Sequence, residues 1–392
     1  MSRKGLPNFD NTELAFRHLS DGDLRRGRVL FELLSRPILV TVGSFFARLA
    51  LALRIPISWA IKPTVYAQFC GGETIEESED KIEMLHKNGV KTILDYSAEG
   101  VTTEAELDST CDEILSAVNA AGNDPRHAFS VFKPSGLSLH ELLAKPIAEF
   151  SPEEEEDQWS RVLGRIDSIC NSTSKAKGRV LIDAEESWIQ DNIDIVAEDM
   201  MKKYNSQSAV VFTTVQLYRH DRLEYLQKLG ERAKAEGFKV GVKLVRGAYM
   251  EKERARAEKM GYPSPIQPDK ASSDRDYNLA INHCLDNLDV FEIFAGTHNA
   301  DSTLMLCSEM EKRGLKNDDP RITFSQLLGM SDQITFNLAA HGYNIAKYVP
   351  YGPIREAMPY LIRRAKENTS VAGQTTRELR LIRKEMQRRL AK

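Results

Sequence analysis

Cysteine is sparse and unpatterned: Cys70, Cys111, Cys170, Cys284 and Cys307 include no Cys-x-x-Cys pair. An odd, scattered set excludes a disulfide framework and fits a reducing compartment. The eight histidines show no His-Glu-x-x-His or similar ligand spacing, so no metal site is expected. A Gly-x-Gly-x-x-Gly turn is missing after the first strand-like run, where the chain reads Asp95-Tyr-Ser-Ala-Glu-Gly100, which argues against an open dinucleotide-binding sheet. No apolar run reaches the roughly 20 clean residues of a spanning helix. The most apolar stretch, 37–61, is interrupted by Arg48, Arg54 and Pro56. It reads as a helical hairpin packed on the catalytic region, with lodging along a membrane surface as the alternative. Asp10, Glu13, Asp21, Asp23 and Glu32 crowd the first thirty-five residues, unlike an acid-poor transit peptide or a secretory signal. A cytoplasmic location, at most peripheral on an inner membrane, is the expectation.

What the chain does contain is ample core material: 42% of its 392 residues are hydrophobic and 28% charged. A net charge of −4 gives no field that would gather nucleic acid. After residue 88, eight short apolar or β-branched runs appear, at 90–94, 127–132, 179–182, 209–215, 239–245, 290–294, 322–327 and 344–349. Seven are followed by helical patterns, for example 103–119 and 222–235, the latter ended by Gly237. Strand-then-helix alternation implies a parallel sheet, and eight strands close a barrel, so the expected fold is a (β/α)8 barrel of the α/β class. Residues 1–70 read as a separate N-terminal helical region and 71–392 as the barrel with C-terminal helices, the Gly71-Gly72 pair marking the seam. An amphipathic helix is expected over 74–87, ending at Asn88-Gly89, and the acidic run 153–157 reads as a solvated helix start. The turn-rich stretch 261–268 follows the fifth strand on the side where barrels carry their sites.

Chemically competent side chains recur where strands end, the face on which barrel enzymes work. The second strand ends at Lys133, the third at Asp183-Ala-Glu185 and the fourth at Gln216. The fifth ends in Lys243-Leu-Val-Arg246-Gly247-Ala248-Tyr249, the sixth in Gly296-Thr297-His298-Asn299, the seventh in Ser325-Gln326-Leu327 and the eighth in Tyr348-Val-Pro-Tyr351. Each alone has a dull explanation as a turn or an exposed strand end. Together they describe one rim. Farther on, Tyr360, Arg363, Arg364 and Glu367 share one broad side of a helix. Adjacent guanidiniums there suit a carboxylate, which they grip by charge-assisted, partly bidentate hydrogen bonds.

Leu-Val-Arg246-Gly247-Ala248-Tyr249, Thr297-His298-Asn299, and Tyr348 followed fifteen residues later by Arg363-Arg364 resemble the proline dehydrogenase family over nearly all of 71–370. That resemblance implies a distorted barrel whose eighth helix, near 355–366, closes over the mouth. It implies Arg363 and Arg364 on the proline carboxylate, Tyr348, Tyr360 and Leu327 around the ring, and Lys133, Asp183 and Tyr249 completing the pocket. It assigns Gln216, Lys243, Gly247, Ala248, Thr297, His298, Asn299 and Glu367 to FAD, with Lys270 and Thr369 as further contacts. Some bacterial relatives carry Arg at the position of Lys243, so this chain keeps the charge but loses the planar fork. The resemblance further implies hydride transfer from L-proline to the flavin, a quinone as acceptor of the electrons, and a separate pyrroline-5-carboxylate dehydrogenase for the product. The rivals are a hydroxyproline dehydrogenase, a nucleic-acid or lipid module using the basic stretch 377–392, and an aldolase using Lys243 as a Schiff base.

Overall fold

The computed structural model describes residues 5–53, 55–96, 102–122, 124–370 and 374–391. Eight strands form a closed barrel in chain order. They are β1 Lys91–Tyr96, β2 His127–Phe132, β3 Val180–Ile182, β4 Val211–Gln216, β5 Val240–Val245, β6 Phe291–Gly296, β7 Ile322–Leu327 and β8 Ile345–Tyr351. Every expected strand is present, displaced by no more than a residue or two. Parallel strands are buried on both faces and so read as near-continuous apolar runs rather than alternating ones. All six residues of β4 and all seven of β8 are buried.

The helices, in order, are α1 Thr12–Phe16, α2 Asp21–Leu34, α3 Pro37–Ala52, α4 Ser58–Ile61, α5 Ala67–Phe69, α6 Glu79–Lys87, α7 Glu104–Ala121, α8 His140–Ala144 and α9 Glu154–Lys175. Then come α10 Ser187–Tyr204, α11 Arg222–Glu236, α12 Met250–Met260, α13 Lys270–Asp286, α14 Ala300–Lys312, α15 Asp332–Ala340, α16 Ile354–Ser370 and α17 Gln374–Leu390. Local chemistry sets their ends. Thr103 and Glu106 form a capping box on α7, and Gly237 ends α11 in the left-handed region at φ +78°. The acidic run starts α9, as the favourable interaction of acids with a helix N-terminus dictates. The single helix expected over 74–87 is instead a 3-10 turn, Glu76–Ser78, followed by α6, because the Glu73 and Glu77 carboxylates turn toward Lys62.

Two compact units emerge: 100–325, and 1–99 together with 326–392. In the first, Phe129 meets Phe212 and Phe294 edge-on at 5.0 and 5.1 Å, and the Arg179 guanidinium lies over Phe129 and Phe212. Arg179 also binds Glu292 and the Pro320 carbonyl, plugging the strand-start end with a stacked cation.

The second unit joins both ends of the chain. Here β1 pairs with β8, Lys91 opposite Ala346, and α17 packs on α1 and α2. The basic helix from 377 onward is tied down by ion pairs: Arg383 to Glu32 at 2.9 Å, Arg388 to Glu13 at 3.1 Å and Arg389 to Asp21 at 2.9 Å. Glu385, fully buried, bridges Arg388 and Arg389. These ion pairs tie the C-terminal helix to α1 and α2, with Arg383 itself exposed.

Candidate active site

Within 100–325, the strand ends converge on two polar clusters. Lys243 of β5 and Asp183, just past β3, form a largely buried ion pair, Nζ to Oδ1 2.6 Å. Lys133 ends β2 and opens a short turn, Pro134–Gly136. That turn is held by Glu185, whose carboxylate accepts from the Ser135 amide at 2.8 Å and the Ser135 hydroxyl at 2.5 Å. Burial pushes the Glu185 carboxyl up to about 7, against those hydrogen bonds and the nearby Lys133 charge. Gln190 accepts from the Glu185 amide and donates to Asp194, which pairs with Arg222, so the β3 loop rests on a buried polar chain.

Arg246 organises the second cluster. Its guanidinium donates to Asp274 at 2.6 Å, to the Thr297 hydroxyl at 2.9 Å and to the Ser302 hydroxyl at 2.9 Å, with its carbon 4.4 Å from the Tyr277 ring centre. One planar fork thereby fixes the loops after β5 and β6. Between them, Gly247 sits at φ +137° with the Tyr218 ring 2.4 Å from where a Cβ would be, so only glycine fits. Its neighbour Ala248 is exposed and Tyr249 caps α12. Lys270, the exposed first residue of α13, also binds Asp274. The Asn299 carboxamide oxygen accepts from the Asp301 and Ser302 amides at 2.9 and 3.1 Å, capping α14. Its amide nitrogen donates to Asp274 at 3.5 Å. Gln216 closes β4 almost fully buried, while His298 is half-buried.

In the other unit, Leu327 and Tyr348 lie on neighbouring strands, tied by the Leu328 amide to the Tyr348 carbonyl at 2.8 Å. A fully buried lysine, Lys347, donates to the Leu327 carbonyl at 3.1 Å, the Met330 carbonyl at 2.5 Å and Asp332 at 2.8 Å. On α16 the Arg364 guanidinium lies 5.3 Å from the Tyr360 ring centre; Arg364 and Tyr360 are buried and Arg363 half-buried. The opposite side of α16, Met358, Leu361 and Ile362, joins the apolar core of α2, α3 and α17. Thus one helix carries the arginine pair and anchors it. The side chains of Glu367 and Thr369 lie outside the described residues.

Three residues that shape these clusters escaped the sequence reading as site members. Arg246 and Glu185 stood inside quoted motifs, but their partners come from elsewhere: Asp274 from α13 and Ser135 from the turn after β2. Lys347 left one trace, a lysine in the middle of an otherwise apolar strand.

The chain matches the family model described as proline dehydrogenase over residues 78–377. It is 33% identical to the carbapenem antibiotics biosynthesis protein CarD of Pectobacterium carotovorum, over 82% of this chain and 84% of that protein. It is 39% identical to the mitochondrial proline dehydrogenase 1 of Homo sapiens, over 63% of this chain but only 42% of that one. A hydroxyproline dehydrogenase of Xenopus laevis is 29% identical over 96% of this chain and 89% of its own length. The fold recurs in the crystal structure of proline utilization A from Bdellovibrio bacteriovorus inactivated by N-propargylglycine, with a TM-score of 0.72 and 21% identity, over 93% of this chain and 36% of that one. With this match over most of its length, the chain belongs to the proline dehydrogenase family of flavin-dependent oxidoreductases.

Proposed function

We propose that this chain oxidises L-proline to 1-pyrroline-5-carboxylate with FAD as its cofactor. The observation that carries this reading is the arginine pair on α16: Arg364 is buried against the Tyr360 ring, with Arg363 half-buried beside it. Desolvated, prepositioned guanidiniums suit a small carboxylate far better than a flexible lysine pair would. In this reading 71–392 is the catalytic region, and α16 supplies its carboxylate grip. Arg363 and Arg364 hold the carboxylate, while Leu327, Tyr348 and Tyr360 wall the ring and exclude water. Lys133, Asp183 and Tyr249 complete the pocket, and Lys133 or Asp183 takes the proton that prolinium must lose. Holding the ring carbon in near-attack geometry is worth several kcal/mol of barrier.

The donor set fits a flavin dinucleotide. Exposed backbone at Gly247-Ala248, the cations Lys243 and Lys270, and the hydrogen-bonding groups of Gln216, Thr297, His298 and Asn299 offer partners for ring oxygens and a pyrophosphate. Glu367 and Thr369 join them by the resemblance. When bound, FAD supplies the two-electron acceptor that no side chain provides. Electrons pass on to a membrane quinone reached by peripheral contact, and a separate dehydrogenase takes the product.

Proline added to the purified, flavin-loaded protein bleaches its visible absorbance; a coloured protein that proline leaves unbleached overturns the assignment. Arg363→Met or Arg364→Met raises KM for proline strongly while FAD stays bound. The Xenopus laevis relative supports a second reading, oxidation of hydroxyproline. The bulk of Tyr348 argues for proline, which should have the higher kcat/KM; a preference for trans-4-hydroxyproline would reverse the choice.

A further inference from the structure

We infer that α3 and the turn after it, as far as Trp59, form a docking surface for an anionic lipid bilayer, with α3 lying in the plane of that surface. The idea deepens the proposed transfer of electrons to a membrane acceptor, but its geometry stands without it.

A helix that is apolar all round belongs in a core or in lipid. The inner face of α3 is accounted for: Val40, Ala47 and Leu51 pack on the core shared with α16. The outer face is not. Ile38, Val42, Phe45 and Leu49 follow a stripe of four- and three-residue steps, with Ile38 at 78% and Phe45 at 62% exposure, and Phe46 stands beside them at 60%. Leu53, Ile55 and Trp59 prolong the patch, Trp59 at 79%. Exposed apolar side chains scattered singly are ordinary, whereas a contiguous aromatic-rich stripe marks an interaction surface.

Charge identifies the partner. From Leu33 to Gly72 the chain has no Asp or Glu, though acids outnumber bases in the whole chain, and the stretch carries Arg36, Arg48, Arg54 and Lys62. Lys62 is neutralised by Glu73 and Glu77 at 2.7 and 3.1 Å, whereas Arg36 and Arg48 are exposed within or beside α3. An apolar stripe flanked by arginines, with an exposed tryptophan at its end, is what an anionic bilayer surface takes up: acyl chains receive the stripe, phosphates the guanidiniums, and the indole sits at the boundary. A second copy of this chain fits poorly, because a two-fold contact would bring the same arginines together.

The contact is in-plane. Among the described residues no single helix is long and apolar enough to cross a membrane, and α3 turns by 92° from α2. The α2 helix is held on the protein by Leu24, Phe31 and Leu34 in the core and by Glu32 to Arg383.

Flotation of the full chain with vesicles tests the proposal. Phosphatidylcholine vesicles containing phosphatidylglycerol should carry the protein about tenfold more than phosphatidylcholine alone, the difference shrinking as salt rises. Phe45→Ser/Phe46→Ser should abolish flotation and Arg48→Glu weaken it several-fold, with unfolding midpoints unchanged because these side chains are exposed. The fluorescence lost in Trp59→Phe should be the component that shifts to the blue on vesicles. Equal or absent flotation on both vesicle types overturns the inference, as does undiminished flotation of the double variant. A dimer that the double variant dissolves, with no flotation, assigns the surface to a second copy and also overturns it. None of these outcomes uses proline, so failure here leaves the bleaching test intact, and the reverse holds.

Discussion

Replacing Glu378 with glutamine isolates one buried charge and reads its effect as a pH-dependent stability. Glu378, on α17, is buried where its carboxylate accepts from the Ser331 amide at 2.7 Å, capping α15 from another helix. Burial raises its carboxyl from 4.5 to about 7, the neighbouring Asp332 adding to the rise and Lys347 and Arg377 opposing it. A carboxyl raised in the folded state keeps a proton that the unfolded chain has already released. Its contribution to stability is therefore full below about pH 4.5 and is lost as pH climbs through about 7. Some 2.5 pH units at 1.36 kcal/mol each give about 3 kcal/mol as the upper size of that loss. Glutamine still accepts from Ser331 but cannot ionise. Glu378→Gln should therefore match the parent near pH 5 and exceed its stability by up to about 3 kcal/mol at pH 8, roughly 3–4 °C in Tm for a chain of this size. His18, held down to about 4 chiefly by burial, contributes a slope of opposite sign to both proteins and cancels in the difference. Thermal unfolding from pH 5 to 8.5 measures it. Parallel curves, offset by a constant or not at all, would refute the reasoning.

Two further outcomes follow from close geometry. Glu185→Gln cannot ionise between Ser135 and Lys133, so kcat/KM for proline should fall about tenfold and the limb of its pH profile near 7 should flatten, FAD content being unchanged; a profile superimposable on the parent's would remove Glu185 from any positioning role. Gly329→Ala should destabilise by more than about 2 kcal/mol, since the residue sits at φ +73° with the Gln68 carbonyl 2.1 Å from an added Cβ; a Tm within a degree of the parent's would mean that the loop yields easily.

The strands were legible because burial on both faces leaves an apolar run that periodicity detects, and strand-end polar residues stand out against it. Lys243 and Asp183 were both expected at the site, but their 2.6 Å ion pair was not, since 60 positions separate them and only the pairing of β3 and β5 with β4 makes them neighbours. Glu378 shows the limit most clearly. In sequence it only dilutes a basic stretch, whereas in the fold it is buried beside Ser331 at the start of α15 and Lys347 of β8, both distant in the chain. The same holds for Arg383, Arg388 and Arg389, whose acidic partners include Glu32, Glu13 and Asp21 near the opposite end of the chain. Motif spacing, by contrast, gave the Tyr348-to-Arg364 order directly, since that order needs only β8 and the helix after it.

The unit that joins both chain ends imposes an order on synthesis. Lys91 pairs with Ala346, 255 positions later, and α17 lies on α1 and α2. The N-terminal helices and β1 thus leave the ribosome long before the segments that cover them exist, while 100–325 can gather its own contacts as it emerges. Barrel closure and placement of the arginine helix become the last events in the life of the new chain, paid for by the slow pairing of distant segments. Until then the apolar faces of α2 and α3 are uncovered, and a ribosome that stops short of α17 releases a chain in which α2 lacks the helix that packs along it, while α15 and α16 can still meet α1 and α3.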